Sequence, residues 1–298
     1  MQTILNDKRF ISVEHITKGW SDDKKYRVTD KDGMKFLLKI SSIPKYERCK
    51  TLFEMQKRVE KLDIPMCIPL EFGTCGEDAY ILYSWVEGVD LREIHLTLPI
   101  SEQYTLGLEA GRVLKKIHSI PAPDSQEDWA SRFGRKADNK VKSYKGCGLR
   151  FDGDNYVLEY IESNRHLLDN RPQCLHHGDY HDGNMMYHEN KLTIIDFSSY
   201  DFGDPWEEFN RIVWCAGSSP HFATGRLHGY FDGEPPLEFF QLMALYIASN
   251  TLSSIPWAVS FGQNEPDTMM KQAHEILKWF DNMQNPIPTW YFTQESRL

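Results

Sequence analysis

The stretch that most constrains this 298-residue chain is His177-Gly178-Asp179-Tyr180-His181-Asp182-Gly183-Asn184, followed closely by Leu192-Thr193-Ile194-Ile195-Asp196. Residues 185–188 and 192–195 are short apolar runs of strand type, and Asn190 between them suits a hairpin turn. An aspartate, an asparagine and a second aspartate are thereby arranged around one turn and two short strands.

Those residue types suit a particular chemistry. Phosphoryl transfer from a nucleoside triphosphate relies on positioning and charge neutralisation, so it needs one carboxylate near an acceptor hydroxyl and oxygen ligands holding Mg²⁺ on the phosphates. Asp179 fits the first role, and Asn184 with Asp196 fits the second, because Mg²⁺ takes only one or two carboxylates beside phosphates and waters. The spacing His-x-Asp-x-x-x-x-Asn agrees with the catalytic loop of kinases. On these residues the chain resembles the aminoglycoside phosphotransferase family, whose usual reading here is His-Gly-Asp-x-His-x-Gly-Asn. The resemblance implies an α+β, two-lobed, protein-kinase-like fold. Its N-terminal lobe (1–86) would be an antiparallel sheet with one helix that binds nucleotide. A mainly helical C-terminal lobe (87–298) would carry catalysis and the acceptor. The implied enzyme is a phosphotransferase with an alcohol group as acceptor and ATP or GTP as donor.

Asp201-Phe202-Gly203 spells the metal-binding motif of protein kinases, but it lies seventeen residues after Asn184, whereas Asp196 lies twelve after it. Two strands and a turn use up those twelve, so Asp196 is the expected ligand. Asp204 is expected to brace the catalytic loop, and Pro205 to stand near the start of a helix. The histidines His176, His177 and His181 raise a zinc hydrolase as an alternative, yet no His-Glu-x-x-His spacing accompanies them. His177 is expected to orient the loop.

Upstream, a kinase-like reading requires a strand lysine and a helical acid to hold it. Residues 34–40 form an apolar strand carrying Lys39, and residues 51–62 have apolar positions at helical spacing, with Glu54 the expected partner of Lys39. The phosphate-covering turn at 16–28 has one glycine and no Gly-x-Gly-x-x-Gly, so Ser21 and neighbouring amides are the candidates there, with Asp22 and Asp23 turned to solvent. The resemblance puts the nucleobase against backbone groups from Ser84 to Val86, and Tyr83 at the gatekeeper position.

Charge is divided unevenly: residues 151–298 hold 8 Lys/Arg against 21 Asp/Glu, and residues 1–150 hold 26 against 22. A mildly basic first half suits a triphosphate and an acidic second half a cationic small-molecule acceptor, an aminoglycoside antibiotic first. Choline, macrolide or sugar-type metabolites, and a non-catalytic nucleotide-binding module, are the alternatives. Asp182, Glu207 and Glu208 are the candidate acceptor carboxylates, although acids in a first helical turn are also stabilised by the helix dipole. No nucleic-acid partner is expected. No run approaches the ~20 apolar residues of a membrane span. Six dispersed cysteines suit a reducing cytoplasm, with the protein a monomer or dimer. Helices are expected at 101–118 with Ser101 as N-cap, in part of 126–146, and at 154–168, 206–216, 237–254 and 267–283.

Overall fold

The computed structural model describes residues 4, 8–18, 22–262 and 264–293. Its fold is α+β, and it divides into two compact units, one formed by the residues up to Leu91 with Gly183–Ser199, the other by Arg92–Asp182 with the residues from Tyr200 onward. Where a boundary at 86/87 was expected, packing carries the first unit on to Leu91 and adds the later hairpin.

In the first unit, strands β1 (Phe10–Ile16), β2 (Lys24–Asp30), β3 (Lys35–Ser42), β4 (Pro69–Cys75) and β5 (Asp78–Ser84) form an antiparallel sheet in the order β1-β2-β3-β5-β4. The β2–β3 turn is made by Asp30, whose Oδ1 accepts from the amides of Asp32 and Met34 at 2.9 and 2.8 Å. Alternation along β3 sorts its side chains. Leu38 and Ile40 join Val28, Cys75 and Leu82 in a core on one face. Lys39 and Ser41 therefore point to the other face, toward helix α1 (Tyr46–Glu60). α1 buries Cys49, Leu52, Met55, Gln56 and Val59.

The same unit holds β6 (Val89–Asp90), β8 (Met185–His188) and β9 (Lys191–Ile194), ordered β6-β8-β9. The hairpin is anchored by hydrogen bonds from Cys67 N to Ile194 O (3.0 Å) and from Ile194 N to Pro65 O (2.9 Å). Gly88 permits the close approach of β6: its φ is +117°, and a Cβ there would lie 2.3 Å from the Tyr187 carbonyl oxygen.

The second unit is helical: α2 (Ile100–Ile117), α3 (Trp129–Gly146), α4 (Asp154–Ser163), α5 (Ile212–Ser218), α6 (Pro220–Phe231), α7 (Leu237–Val259) and α8 (Glu265–Trp279), with a two-stranded ladder of β7 (Cys174–His176) and β10 (Asp201–Gly203). Several expectations shift. α2 begins at Ile100 after Pro99, with no side-chain cap, so Ser101 is inside the first turn. The segment from Glu207 to Arg211 is a 3-10 turn that precedes α5, and 154–168 is α4 followed by a 3-10 turn. α6 was not anticipated. Every residue from Phe222 to Tyr230 is buried, so no apolar stripe marks it, and Gly225 and Gly229 look like breakers in a sequence. Ser219 caps it, accepting from the Phe222 amide at 3.0 Å, with Pro220 at its start.

Gly225 and Gly229 face α2, which meets them with Gly107 and Gly111. Cβ atoms at these four positions would lie 2.1–2.3 Å from carbonyl oxygens of the opposite helix. The two helices thus pack backbone to backbone. α7 is apolar around most of its circumference and forms the centre of the unit. Among the described residues no helix is long and apolar enough to cross a membrane.

Candidate active site

The first unit supplies a cationic cleft of about 420 Å³ lined by Asp23, Lys39, Ser41, Lys45, Arg48 and Ser198, with Cys49, Leu52 and Ile81 as its apolar wall. Lys39 is buried on β3. Its Nζ donates to Ser198 Oγ at 2.6 Å, and Ser198 Oγ donates to Asp196 Oδ1 at 2.5 Å; the direct Lys39–Asp196 separation is 3.8 Å. Arg48 holds the Ser198 carbonyl oxygen at 2.8 Å. This chain of charge-assisted hydrogen bonds ties the strand lysine to the expected metal ligand.

The acid beside Lys39 is not Glu54. That residue lies on the solvent face of α1, one position from Met55 and two from Leu52, which are buried. The helix phase that buries Leu52, Met55 and Val59 turns Glu54 outward. Asp23 takes the place instead, 3.3 Å from Lys39 Nζ and 3.2 Å from Lys45 Nζ, its side chain only 13 % exposed. Asp23 was expected to face solvent. Burial works against its charge, but Lys39, Ser41 and Lys45 prevail and lower its pKa. Asp23→Asn is expected to lower kcat/KM for the nucleotide about tenfold, or ~1.4 kcal/mol, while Glu54→Gln leaves it unchanged; steady-state kinetics with varied nucleotide checks both.

β5 ends at Ser84, whose amide donates to Ile68 O and whose Oγ accepts from Ile68 N, both at 2.9 Å. The Ser84 amide is therefore spent on the sheet edge. Val86, half-buried two residues on, makes no backbone hydrogen bond among the described residues. Tyr83 is buried, its hydroxyl donating to Gln56 Oε1 at 3.0 Å. Ser21 lies outside the described residues.

Asn184 and Asp196 flank the β8–β9 hairpin. Met185 pairs with Ile194, and the Ile195 amide donates to the Asn184 carbonyl at 3.0 Å, so antiparallel register returns the chain to its starting point. Asp196 has φ +59°, the left-handed region that aspartate tolerates better than most residues. An amide oxygen and a carboxylate are hard oxygen donors of the kind Mg²⁺ selects, and the pair fits that ion. Asp201 belongs to β10 in the other unit, where Arg132 holds both its oxygens at 2.7 and 2.6 Å.

Asp179 is in the second unit, and the loop around it is fixed from several sides. Gly178, at φ +88°, donates its amide to Glu208 Oε1 at 3.0 Å. The His177 Nδ1 accepts from the Asp179 amide at 3.3 Å. Tyr180, fully buried, donates its hydroxyl to Ala110 O at 2.7 Å, and its carbonyl accepts from Arg226 Nη1 at 2.8 Å. Arg226 comes from α6, is wholly buried, and lies between the rings of Tyr180 and Phe209 at 4.7 and 4.8 Å. Asp204 accepts from Arg171 at 2.6 Å and Tyr246 at 2.7 Å, while its carbonyl meets His176 Nε2 at 2.8 Å.

The Asp179 carboxylate has His181 Nε2 at 3.4 Å and Arg211 Nε at 3.3 Å. Arg92 Nη2 lies 2.9 Å from His181 Nδ1. A guanidinium can only donate, so Nδ1 accepts and the Nε2 proton is directed at Asp179. Burial would raise the carboxyl pKa, but the His181 hydrogen bond and the charge of Arg211 outweigh it and hold it well below the usual range. Asp179 is thus an ionised acceptor across the physiological range, suited to orienting a hydroxyl and taking its proton late.

The three carboxylates expected to meet an acceptor are engaged internally. Asp182 is fully buried, bound by Arg92 at 2.9 and 3.1 Å with His95 at 3.4 Å. Glu207 is buried beside Lys136 at 2.9 Å and His176 at 3.6 Å. Glu208 is buried against the Gly178 amide and His118. Desolvating a carboxylate requires such partners, and here each has them.

His118 gives this network a pH limit. Burial pushes its pKa from 6.5 down to about 4, against the opposing pull of Glu208. As pH falls through 6.5 the unfolded chain takes up a proton that the folded one refuses until about 4, so stability is lost across that window. Glu207 and Glu208 are lowered to about 2, the cations around them outweighing burial, and they add a loss as pH falls below 4.5. The melting temperature is expected to fall from neutral pH to pH 4 in the wild type, and less steeply between 6.5 and 4.5 in His118→Gln.

A sheet whose lysine is linked to the hairpin that carries Asn184 and Asp196, and a helical unit holding an ionised carboxylate, fit a kinase-like phosphotransferase. Solved structures share this fold. The GDP complex of wild-type aminoglycoside 2'-phosphotransferase-IIIa superposes with a TM-score of 0.68 at 13% identity, covering 92% of this chain and 95% of that one. A thermostable mutant of aminoglycoside phosphotransferase APH(4)-Ia gives 0.67 at 17% identity over 92% and 97%. Amicoumacin kinase hAmiN in complex with AMP-PNP, Ca²⁺ and Ami gives 0.65 at 14% over 96% and 95%. No curated protein matches in sequence. The model of the phosphotransferase enzyme family matches residues 12–240, and the chain belongs to that family. It is a phosphotransferase acting on hydroxyl groups.

Proposed function

We propose that the protein transfers the γ-phosphoryl group of ATP or GTP to a hydroxyl of a small molecule, with Asp179 as the base. The reading rests above all on the Lys39–Ser198–Asp196 chain of hydrogen bonds, which couples a phosphate-binding lysine to a metal ligand. Lys39, Lys45 and Arg48 bind and neutralise the triphosphate, and the backbone of Val86 meets the nucleobase. Asn184 and Asp196 would hold Mg²⁺, which would supply positive charge to the triphosphate. The acceptor oxygen forms its bond to the γ-phosphorus as the bond to the bridging oxygen breaks. The hydroxyl proton passes to Asp179 and then to solvent, and the nucleoside diphosphate leaves.

An aminoglycoside acceptor was the first expectation, and several fold neighbours carry that substrate in their names. The carboxylates on which a cationic acceptor would depend are those now bound to arginine, lysine and histidine, so that choice has lost its support within the site. Measuring nucleoside triphosphate consumption with Mg²⁺ across a panel of hydroxyl compounds tests the reading. Stimulated turnover by at least one acceptor is expected; absence of both nucleotide binding and stimulated turnover would overturn it.

A further inference from the structure

Arg92 is the first residue of the second unit and lies in the short helix Leu91–Ile94, which directly follows β6. Its guanidinium is anchored by Asp182, whose Oδ1 accepts from Nε at 3.1 Å and from Nη2 at 2.9 Å. Asp182 is fully buried, with His95 Nε2 3.4 Å from its other oxygen. The ring of Trp214 lies 5.8 Å from the Arg92 Cζ. Nη2 carries two protons, set at fixed angles in the guanidinium plane. One goes to Asp182 and the other to His181 Nδ1, 2.9 Å away.

That second proton decides where His181 keeps its own. With Nδ1 accepting, the neutral ring carries its proton on Nε2, and Nε2 faces Asp179 Oδ2 at 3.4 Å. The other tautomer and the imidazolium would both aim an N–H at the guanidinium. Asp182 Oδ1 is 3.9 Å from Nδ1 and, without Arg92, would draw a proton there. In a neutral ring Nε2 would then present a lone pair to the Asp179 carboxylate, which would turn away from it. An ion pair that merely pinned the short helix would need Asp182 alone. Here the same nitrogen also serves the residue that holds the base.

We propose that Arg92, anchored by Asp182, is a positioning residue for phosphoryl transfer: it fixes His181 in the tautomer whose Nε2–H orients the Asp179 carboxylate. Asp182, expected from the sequence to meet the acceptor, acts instead through Arg92 and His181. The inference rests on Asp179 being the base.

Two measurements on the full chain test this. The first is nitrogen NMR of the histidine side chains at neutral pH, in wild type and in Arg92→Met, with His181 assigned through His181→Gln. Wild-type His181 is expected to carry a proton on Nε2 only, and Arg92→Met to place one on Nδ1. A wild-type ring protonated on Nδ1 overturns the proposal even where Arg92→Met does not fold, and so does an unchanged ring in the folded variant. The second is a double-mutant cycle with an acceptor that the panel of hydroxyl compounds identifies. Glutamine offers one acceptor and one donor as the neutral ring does, but its amide can turn to donate to Asp179 with or without Arg92. Arg92→Met is therefore expected to lower kcat about tenfold in the wild-type background. In the His181→Gln background the loss should stay below about twofold, with the nucleotide KM unmoved in both. Equal losses in the two backgrounds would make Arg92 merely structural and overturn the proposal. The NMR needs no substrate, so failure of the kinase reading has a separate signature, loss of nucleotide binding as well as turnover.

Discussion

Replacing Asp179 by Asn is expected to lower kcat roughly 10³-fold, the middle of the range for a positioned general base, while the nucleotide KM stays within about twofold. The reason is local. An amide keeps the shape of the side chain but loses the charge that His181 and Arg211 hold in place, and it cannot take the hydroxyl proton. Lys39, Lys45 and Arg48, to which donor binding is proposed, are in the other compact unit and keep their own contacts. Pre-steady-state phosphoryl transfer measured beside nucleotide binding separates the two effects. A variant turning over at the wild-type rate would remove Asp179 from the mechanism.

The second large effect concerns stability. Gly225→Ala is expected to destabilise the protein by at least ~2 kcal/mol, although alanine in a helix interior normally gains about 1 kcal/mol over glycine. The sign reverses because the added Cβ would lie 2.3 Å from the Tyr104 carbonyl oxygen, a backbone atom of α2 that can withdraw only if the helix moves. Such a movement would disturb Gly107 and Gly111 as well, and Ala110 O, on which Tyr180, the residue after Asp179, rests. Since ~1 kcal/mol is worth roughly 2–4 °C in a unit of this size, calorimetry should record a drop of at least about 4 °C. Gly134→Ala, on α3 where a Cβ meets nothing within 4 Å, is the control and should melt no lower than wild type. Equal behaviour of the two variants would show that the helices are free to part.

The parts of the site that were legible in the sequence are those set by short-range geometry. The Asn184 and Asp196 pair is joined by a hairpin whose length and turn residue are visible in the chain, and Lys39 stands on an apolar strand whose alternation fixes its face. The acid beside Lys39 was not legible, because a helix presents several acids within one turn and only its docking selects which is turned inward. Packing of Leu52, Met55 and Val59 turned Glu54 out and left the lysine to Asp23 from the first hairpin. Arg226 had no signal at all: its helix is buried on every side, and a lone arginine in such a segment gives no hint that it braces Tyr180.

Charge shows the same division more sharply. Composition alone favoured a cationic acceptor, since acids outnumber bases in the second half of the chain. A count of charges says nothing about which of them are neutralised, and Asp182, Glu207 and Glu208 each proved to be buried against a cation or an amide.

The amino-acid sequence by itself pointed to the class of chemistry, because Asp179, Asn184, Asp196 and the strand Lys39 stand at separations that local strands and turns dictate. Tertiary structure alone decided which charges are spent inside the fold, because pairing and burial depend on residues far apart in the chain: Arg92 with Asp182, and Lys136 with Glu207.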